Sequence, residues 1–163
     1  MSKLGLDRRA FLGSACAGTA GLLLCGATGA FGTMRFTVNR SAAQWERQLG
    51  PQRFHILREA GTEPPFSSPL LNEHRKGIFA CAGCAHPLFP STTKFESGTG
   101  WPSFWRALPG AVVTNSDRSL MMERTEVRCA TCGGHLGHVF DDGPKPTGLR
   151  YCMNGLALTF RSA

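Results

Sequence analysis

Two Cys-x-x-Cys pairs constrain the fold of this chain more than any other feature of its sequence. Cys81 and Cys84 form the first pair, and Cys129 and Cys132 form the second. Two intervening residues let both sulfurs of a pair face one ion, and two pairs supply the tetrahedral four-sulfur shell that Zn²⁺ prefers. Two disulfides are the alternative in an oxidising compartment. The spacing favours one structural zinc per chain, because protein ligands fill all four positions and leave none for water.

Cys152 lies outside both pairs. Of the seven cysteines in the sequence, Cys16 and Cys25 precede residue 33 and the paired ones account for four more. A lone cysteine is most often a small residue of the core. Strand alternation, however, places Arg150 and Asn154 on the same face as Cys152, and a neighbouring arginine lowers the pKa of a thiol. The residues alone leave both roles open, a buried cysteine and a nucleophile.

Two histidines follow the second cysteine pair. His135 and His138 are three residues apart, and Asp141 and Asp142 come just after them. A histidine here is a zinc ligand, a structural residue or a general acid. Because four cysteines already saturate a zinc ion, ligation is disfavoured. Imidazoles with carboxylates nearby have the composition of an acid/base site.

A glycine- and aromatic-rich segment over residues 98–105 contains Trp101 and Phe104. Side chains of this kind usually pack in the core. An aromatic wall is also what a binding pocket needs when a polar substrate carries a small apolar group. Both interpretations fit the residues.

The predicted secondary structure changes from helix to strand along the chain. A capping-box pattern at Ser41 predicts a helix start, and Gly50 followed by proline predicts a break between two helices. From Gly77 onward short strands and turns dominate, ending in a predicted long strand over residues 149–160. The sequence therefore predicts a small, mainly β single domain with short N-terminal helices.

Residues 1–32 have the pattern of an export signal. A basic head ending in Arg8 and Arg9 precedes an uncharged, mildly apolar run over residues 11–31. The paired arginines favour a twin-arginine signal, and a membrane-spanning helix is the alternative. We expect a signal segment, a single domain over residues 33–163, and export to the periplasm. An uncleaved segment would instead anchor the protein in the membrane.

The net charge of +7 comes from basic residues scattered along the chain. Nucleic-acid-binding proteins group such residues in patches or stripes, and the densest run here is only His74-Arg75-Lys76. The charge pattern therefore excludes nucleic acid as an expected partner. A membrane is expected as a partner only during export.

Four motifs, in this order, resemble those of the B-type methionine sulfoxide reductases. The resemblance runs from about Ser41 to Phe160, which is nearly all of the expected domain. Four motifs in order are far more specific than any one of them. They are Cys81-Ala-Gly-Cys-Ala85, Phe95-Glu-Ser-Gly-Thr-Gly-Trp-Pro-Ser-Phe104, Cys129-Ala-Thr-Cys-Gly-Gly-His-Leu-Gly-His-Val-Phe-Asp-Asp-Gly-Pro144 and Arg150-Tyr-Cys-Met-Asn154.

The resemblance implies a twisted antiparallel β fold and reduction of the R epimer of methionine sulfoxide, in proteins or free. It implies that Cys152 is the nucleophile and becomes a sulfenic acid. A thioredoxin-like or other dithiol reductant then converts this sulfenic acid back to the thiol. Trp101 corresponds to the residue that packs on the substrate methyl group. Phe104, from the same aromatic-rich segment, is the second substrate-binding candidate. His135 and His138 correspond to the pair that binds and protonates the sulfoxide oxygen. The supporting residues that it implies are Asp142, Arg150 and Asn154.

Thr99 departs from the family pattern, since many members carry a resolving cysteine at this position. The usual intramolecular disulfide is therefore not expected, and an external thiol must regenerate Cys152. Two other classes of function are alternatives: a zinc-ribbon-like binding module and a redox-sensing domain. Both account for the predicted zinc, and the binding module leaves Cys152 and Trp101 without a role.

Overall fold

The computed structural model describes residues 36–119 and 122–163. The predicted signal over residues 1–32 lies outside these ranges. Helix α1, Ala42–Glu59, begins at Ser41, whose hydroxyl accepts the N–H of Gln44 in a capping box. Gly50 has non-helical angles (φ 69°, ψ 168°) and divides the helix in two, so the predicted break is confirmed. Within the described ranges, no helix combines the length and apolar character needed to cross a membrane.

The described residues form two antiparallel sheets. A three-stranded sheet has the order β2-β1-β9, and a six-stranded sheet has the order β3-β4-β8-β7-β6-β5. The predicted fold class, mainly β with antiparallel sheets and an N-terminal helical element, is confirmed. The strands are β1 (Gly77–Cys81), β2 (Pro87–Pro90), β3 (Lys94–Phe95), β4 (Ser103–Phe104), β5 (Val112–Asp117), β6 (Arg124–Cys129), β7 (His135–Phe140), β8 (Arg150–Met153) and β9 (Leu158–Ser162).

Aromatic side chains join the two sheets. Phe104 of β4 stacks on Phe89 of β2 at 4.4 Å between ring centroids, and it meets Phe79 of β1 edge-on at 4.9 Å. All three rings are 0% exposed. Large buried rings in such contact contribute strongly to core stability. Phe104 is therefore a core residue, and its predicted role in the substrate wall is wrong because its ring is enclosed by other aromatics.

The predicted final strand over residues 149–160 is wrong, because the chain changes sheets within it. β8 belongs to the six-stranded sheet and β9 to the three-stranded sheet, and a 3-10 turn at Gly155–Ala157 separates them. At Gly155 an added Cβ would overlap the side chain of Ser68. The backbone N–H groups of Gly155 and Leu156 donate to the buried carboxylate of Glu63. These contacts redirect the chain just after Cys152.

Candidate active site

The four paired cysteines converge at one point, although they come from different sheets. Cys81 ends β1 and Cys129 ends β6, and the turn after each strand carries the second cysteine of the pair. The Sγ atoms of Cys81 and Cys132 are 3.7 Å apart, those of Cys84 and Cys129 are 3.6 Å apart, and all four lie within 4.8 Å of one another. A Zn–S bond of about 2.3 Å places the sulfurs of a tetrahedron about 3.8 Å apart. The cluster therefore has the dimensions of a four-sulfur metal site.

The thiols of this cluster compete for negative charge. Hydrogen bonding, from Cys132 first, holds the pKa of Cys129 far below its usual value. Hydrogen bonding with Cys129 raises the pKa of Cys81 far above its usual value. Four thiols this close cannot all ionise unless a cation balances them. Four soft sulfur donors with this electrostatic requirement fit a thiophilic metal ion.

Helix α1 closes the cluster on one side. Nη1 of Arg58 donates to the carbonyl of Cys132 at 3.0 Å, and Nε2 of Gln48 donates to the carbonyl of Gly83 at 2.7 Å. Trp45, 2% exposed, packs near Gly83. The turns that carry the cysteines are thus fixed from outside, which is what a closed structural site requires.

Cys152 lies in the interior of the six-stranded sheet. It pairs with Ser103 on one neighbouring strand and with His138 on the other. Directly paired residues on antiparallel strands share a face and hold their Cβ atoms about 4.5–5.5 Å apart. Cys152 opens on a pocket of about 130 Å³. The pocket is lined by Thr62, Trp101, Arg124, Gly137, His138, Phe140, Cys152 and Asn154.

The pocket brings together Cys152, His138, Asn154 and Trp101, four of the residues predicted from sequence. A larger cavity of about 660 Å³ lies between α1 and the segment after Cys152. The described walls of that cavity contain no cysteine and no histidine. The smaller pocket is therefore the candidate active site, because it holds the nucleophilic and acidic groups.

The Cys152 thiol is less acidic than an ordinary cysteine. Burial raises its pKa, and this outweighs the lowering by the Thr99 hydroxyl, 3.8 Å from Sγ, and by the Arg150 guanidinium. Arg150 thus acts in the direction expected from the sequence. The net shift is nevertheless upward, because a buried thiolate loses its water. Burial thus disfavours the thiolate of Cys152, while Thr99 and Arg150 partly stabilise it.

His138, on β7, is held by the carboxylate of Asp117 on β5, two strands away in the sheet. Its Nε2 lies 2.8 Å from Oδ2 of Asp117, which also accepts from Nη2 of Arg124 at 2.7 Å. Hydrogen bonds from Ser119 and from His138 hold the pKa of Asp117 well below its usual value. Asp117 therefore stays ionised and orients the His138 ring at the wall of the pocket.

His135 lies behind His138 and is 4% exposed. The two ring centroids are 5.4 Å apart, and Nδ1 of His135 is 2.8 Å from Oε1 of Glu126. Burial lowers the pKa of His135 in spite of the Glu126 charge, so the surroundings disfavour the charged form of its ring. Its Nε2 is buried without a hydrogen-bond partner among the described residues. The carboxylates on the two histidines come from β6 and β5, and not from the aspartates that follow in sequence.

Asp142 contacts Arg150 and not a histidine. Nε and Nη2 of Arg150 each donate to its carboxylate at 2.8 Å, and this pairing lowers the pKa of Asp142. The Arg150 guanidinium also lies 4.4 Å from the ring centroid of Phe140. Asp142 therefore holds Arg150 in place near Cys152, which makes Asp142 a positioning residue.

Glu63 connects three parts of the site, although the sequence did not single it out. Its N–H donates to Oδ1 of Asn154 at 3.0 Å, and its carbonyl accepts from Nε1 of Trp101 at 3.1 Å. Its carboxylate, in a residue only 3% exposed, accepts from the turn after Cys152. This one residue fixes two walls of the pocket. No local pattern marks it, because Asn154 is 91 residues away along the chain.

Known proteins resemble this chain over most of its length. A family model, the SelR domain, matches residues 49–162. The peptide methionine sulfoxide reductase MsrB of Agrobacterium fabrum is 57% identical over 124 residues, covering 76% of this chain and 92% of that protein. The MsrB of Leptospira interrogans is 50% identical over 129 residues, covering 78% and 98%. The MsrB of Methanosarcina barkeri is 50% identical over 126 residues, covering 77% and 89%.

These likenesses extend over the site. The matched range, residues 49–162, contains the four-cysteine cluster, Cys152, Trp101 and both histidines. The activity that the family implies is therefore that of an oxidoreductase acting on methionine sulfoxide. The chain belongs to the MsrB family of peptide methionine sulfoxide reductases.

Proposed function

We propose that Cys152 is the nucleophile that reduces the R epimer of methionine sulfoxide, in proteins and as the free amino acid. One observation carries this proposal: Cys152 stands directly opposite His138 across paired strands, on the wall of a pocket. A nucleophile and a proton donor on adjoining strands can act on the two ends of one S=O bond.

The pocket walls suit a methyl sulfoxide. Trp101 and Phe140 offer apolar surface for the methyl and methylene groups, and His138 and Asn154 offer polar groups. Mostly apolar walls with a few placed polar groups are typical of small-molecule sites. In our proposal the sulfoxide sulfur lies over Sγ of Cys152, its oxygen faces His138, and its methyl group packs on Trp101.

The first half-reaction moves the oxygen from substrate to enzyme. Sulfoxide sulfur becomes electrophilic when its oxygen is protonated, and His138, held by Asp117, donates that proton. Cys152 loses its thiol proton to solvent, and its sulfur bonds to the sulfoxide sulfur. The protonated oxygen then moves to the Cys152 sulfur as this S–S bond breaks. The S–O bond of the substrate breaks, methionine leaves, and the oxygen stays on Cys152 as a sulfenic acid. The substrate gains two electrons, the thiol loses two, and His138 regains a proton from solvent.

An external dithiol completes the cycle. Thr99 occupies the position next to Cys152 where many family members carry a resolving cysteine, with Oγ1 3.8 Å from Sγ. A hydroxyl cannot form a disulfide, so two thiols of the reductant supply two electrons and two protons. The products are a disulfide, water and the Cys152 thiol. A thioredoxin-like protein has the required dithiol.

We also propose that the cluster of Cys81, Cys84, Cys129 and Cys132 holds one structural Zn²⁺. The sulfur spacing and the four thiols support this, and a full protein shell leaves no position for substrate. Zinc there would hold the two sheets together and take no part in the redox steps. The ion would supply the positive charge that four close thiolates need.

We further propose that the N-terminal segment directs export through a twin-arginine pathway to the periplasm. The support is Arg8 and Arg9 before a long uncharged run. Because that pathway carries folded proteins, zinc could be loaded before export. An exported enzyme would then need a reductant that draws electrons across the membrane, since the periplasm is oxidising.

The activity is tested with the two epimers of dabsyl-methionine sulfoxide and dithiothreitol. We expect the wild-type enzyme to consume the R epimer and to leave the S epimer. Cys152→Ser should consume neither and should keep its circular dichroism spectrum and its metal content. Turnover of the R epimer by Cys152→Ser would contradict the assignment of the nucleophile. A wild-type protein without activity on either epimer would favour the zinc-binding or redox-sensing alternatives.

A further inference from the structure

Phe66 presents a large apolar side chain to solvent beside the active-site pocket. It is 71% exposed and its backbone φ is 64°. A bulky residue with positive φ is a genuine outlier. Such conformations persist where the surroundings impose them, and they cluster at functional sites.

The segment around Phe66 is held in place by its neighbours. The N–H of Phe66 donates to the carbonyl of Gly100 at 2.7 Å, and Oγ of Ser67 donates to the carbonyl of Pro64 at 2.7 Å. Pro64 and Pro65 each restrict φ, and each also disfavours helical angles in the residue before it. The exposure of Phe66 is therefore a property of a restrained segment and not of a loose one.

The ring of Phe66 packs against the residue that precedes Trp101, a lining residue of the pocket. A Cβ built on Gly100 would lie 3.1 Å from Cδ2 of Phe66, so the ring packs against that glycine. The next residue, Trp101, lines the pocket, and so does Thr62 at the start of the segment. Trp101 is also bound to the carbonyl of Glu63. Phe66 does not line the pocket itself, but its exposed ring lies against the segment that carries Trp101, and we call this ring the rim of the pocket.

The size of the pocket determines what lies against this rim. Its volume of about 130 Å³ is well below the roughly 300 Å³ at which pockets begin to enclose whole ligands. It admits the side chain of methionine sulfoxide, while the polypeptide around that side chain stays outside. Resting on the proposed function, we propose that Phe66 binds the residues that flank methionine sulfoxide in a polypeptide. Phe66 then sets the preference of the enzyme for peptide over free methionine sulfoxide.

The test compares kcat/KM of the full chain for three R-sulfoxide substrates: free, flanked by glycine, and flanked by leucine. Wild type should favour the leucine-flanked peptide. Phe66→Gly should lower the ratio of leucine-flanked to free kcat/KM by about 3- to 10-fold, mainly through KM, since partial burial of one aromatic ring is lost. Phe66→Leu should lie between the two. Because glycine and asparagine accept positive φ, Phe66→Gly and Phe66→Asn should both fold.

Ala60→Gly is the matched control, because Ala60 also has positive φ (54°) but carries no ring. It should leave the ratio at the wild-type value. A ratio unchanged in both Phe66→Gly and Phe66→Asn, with activity present, would overturn the role of Phe66 alone. Wild-type enzyme inactive on all three substrates would overturn the proposed function as well.

Discussion

The four-cysteine cluster and Cys152 place the same side chain in opposite surroundings. In the cluster each sulfur faces other sulfurs, the nearest pairs being 3.6 and 3.7 Å apart, and α1 closes the turns from outside. Cys152 faces a hydroxyl, a guanidinium and an imidazole at the wall of a pocket. In the cluster the four thiols contact one another and leave no room for a substrate. Cys152 instead faces a proton donor, His138, across a pocket.

The comparison shows that the groups around a cysteine sulfur determine whether it binds a metal or acts as a nucleophile. Thiols crowded together cannot all ionise without a cation, so the cluster is suited to hold a metal that stabilises the fold. A buried thiol opposite a proton donor reacts only when a substrate enters between them. Substitutions in the cluster should therefore affect folding, and substitutions around Cys152 should affect the reaction rate.

The largest effect is expected from removing a ligand of the cluster. Cys81→Ser should fail to fold, because zinc-binding free energy of about 10–16 kcal/mol is as large as a typical stability of about 5–15 kcal/mol. Cys152→Ser is the matched control and should melt like wild type with one zinc per chain. Thermal melting with elemental analysis measures both. A folded, metal-free Cys81→Ser with normal melting would show that the cluster is not structural.

His138→Ala should reduce the rate of single turnover by about 100- to 10,000-fold, the usual contribution of a general acid. Its melting temperature should change little, because His138 lines the pocket. His135→Ala should lower the melting temperature more than the single-turnover rate, since it removes the buried partner of Glu126. Rapid-quench kinetics and thermal melting check both variants. Near-normal turnover of His138→Ala with a collapsed melting temperature would make this histidine structural.

A smaller effect is expected from the Thr99 hydroxyl. Burial raises the pKa of Cys152 and the Thr99 hydroxyl opposes that shift. The rate at which iodoacetamide alkylates Cys152 depends on the thiolate alone, so this rate should rise with pH as the thiolate forms. Thr99→Val removes the hydroxyl at nearly constant shape, which raises the pKa further. The rising limb should then move to higher pH, with a several-fold lower rate at pH 7. Thr99→Ser should follow wild type. A pH–rate profile that does not move in Thr99→Val would show that the hydroxyl does not lower the pKa of Cys152.

The metal cluster could be predicted from sequence because its information is local. The spacing of two residues between cysteines identifies each pair in the sequence. Only the approach of the two pairs to each other depends on the fold. Strand alternation likewise placed Cys152 and Asn154 at one pocket. It also explains the error at Phe104: Ser103 pairs with Cys152 on the pocket side, so the next residue must point into the core.

The partners of the histidines could not be predicted, because they depend on strand pairing. Glu126 reaches His135 and Asp117 reaches His138 from strands β6 and β5, 9 and 21 residues away along the chain. The acidic residues beside the histidines in sequence were the nearer candidates. Glu63 was missed for the same reason, since every bond it makes to the site joins residues distant in sequence.

The central claim, that Cys152 alone reduces the substrate and keeps the oxygen, is tested most directly by mass spectrometry after one turnover. The enzyme is mixed with one equivalent of methionine R-sulfoxide, without reductant and with dimedone. We expect one dimedone adduct on Cys152, no intramolecular disulfide, and full retention of zinc. Thr99→Cys should instead form a disulfide with Cys152, because position 99 is in contact with its sulfur. A disulfide from Cys152 to a cysteine of the cluster, with release of zinc, would contradict the account.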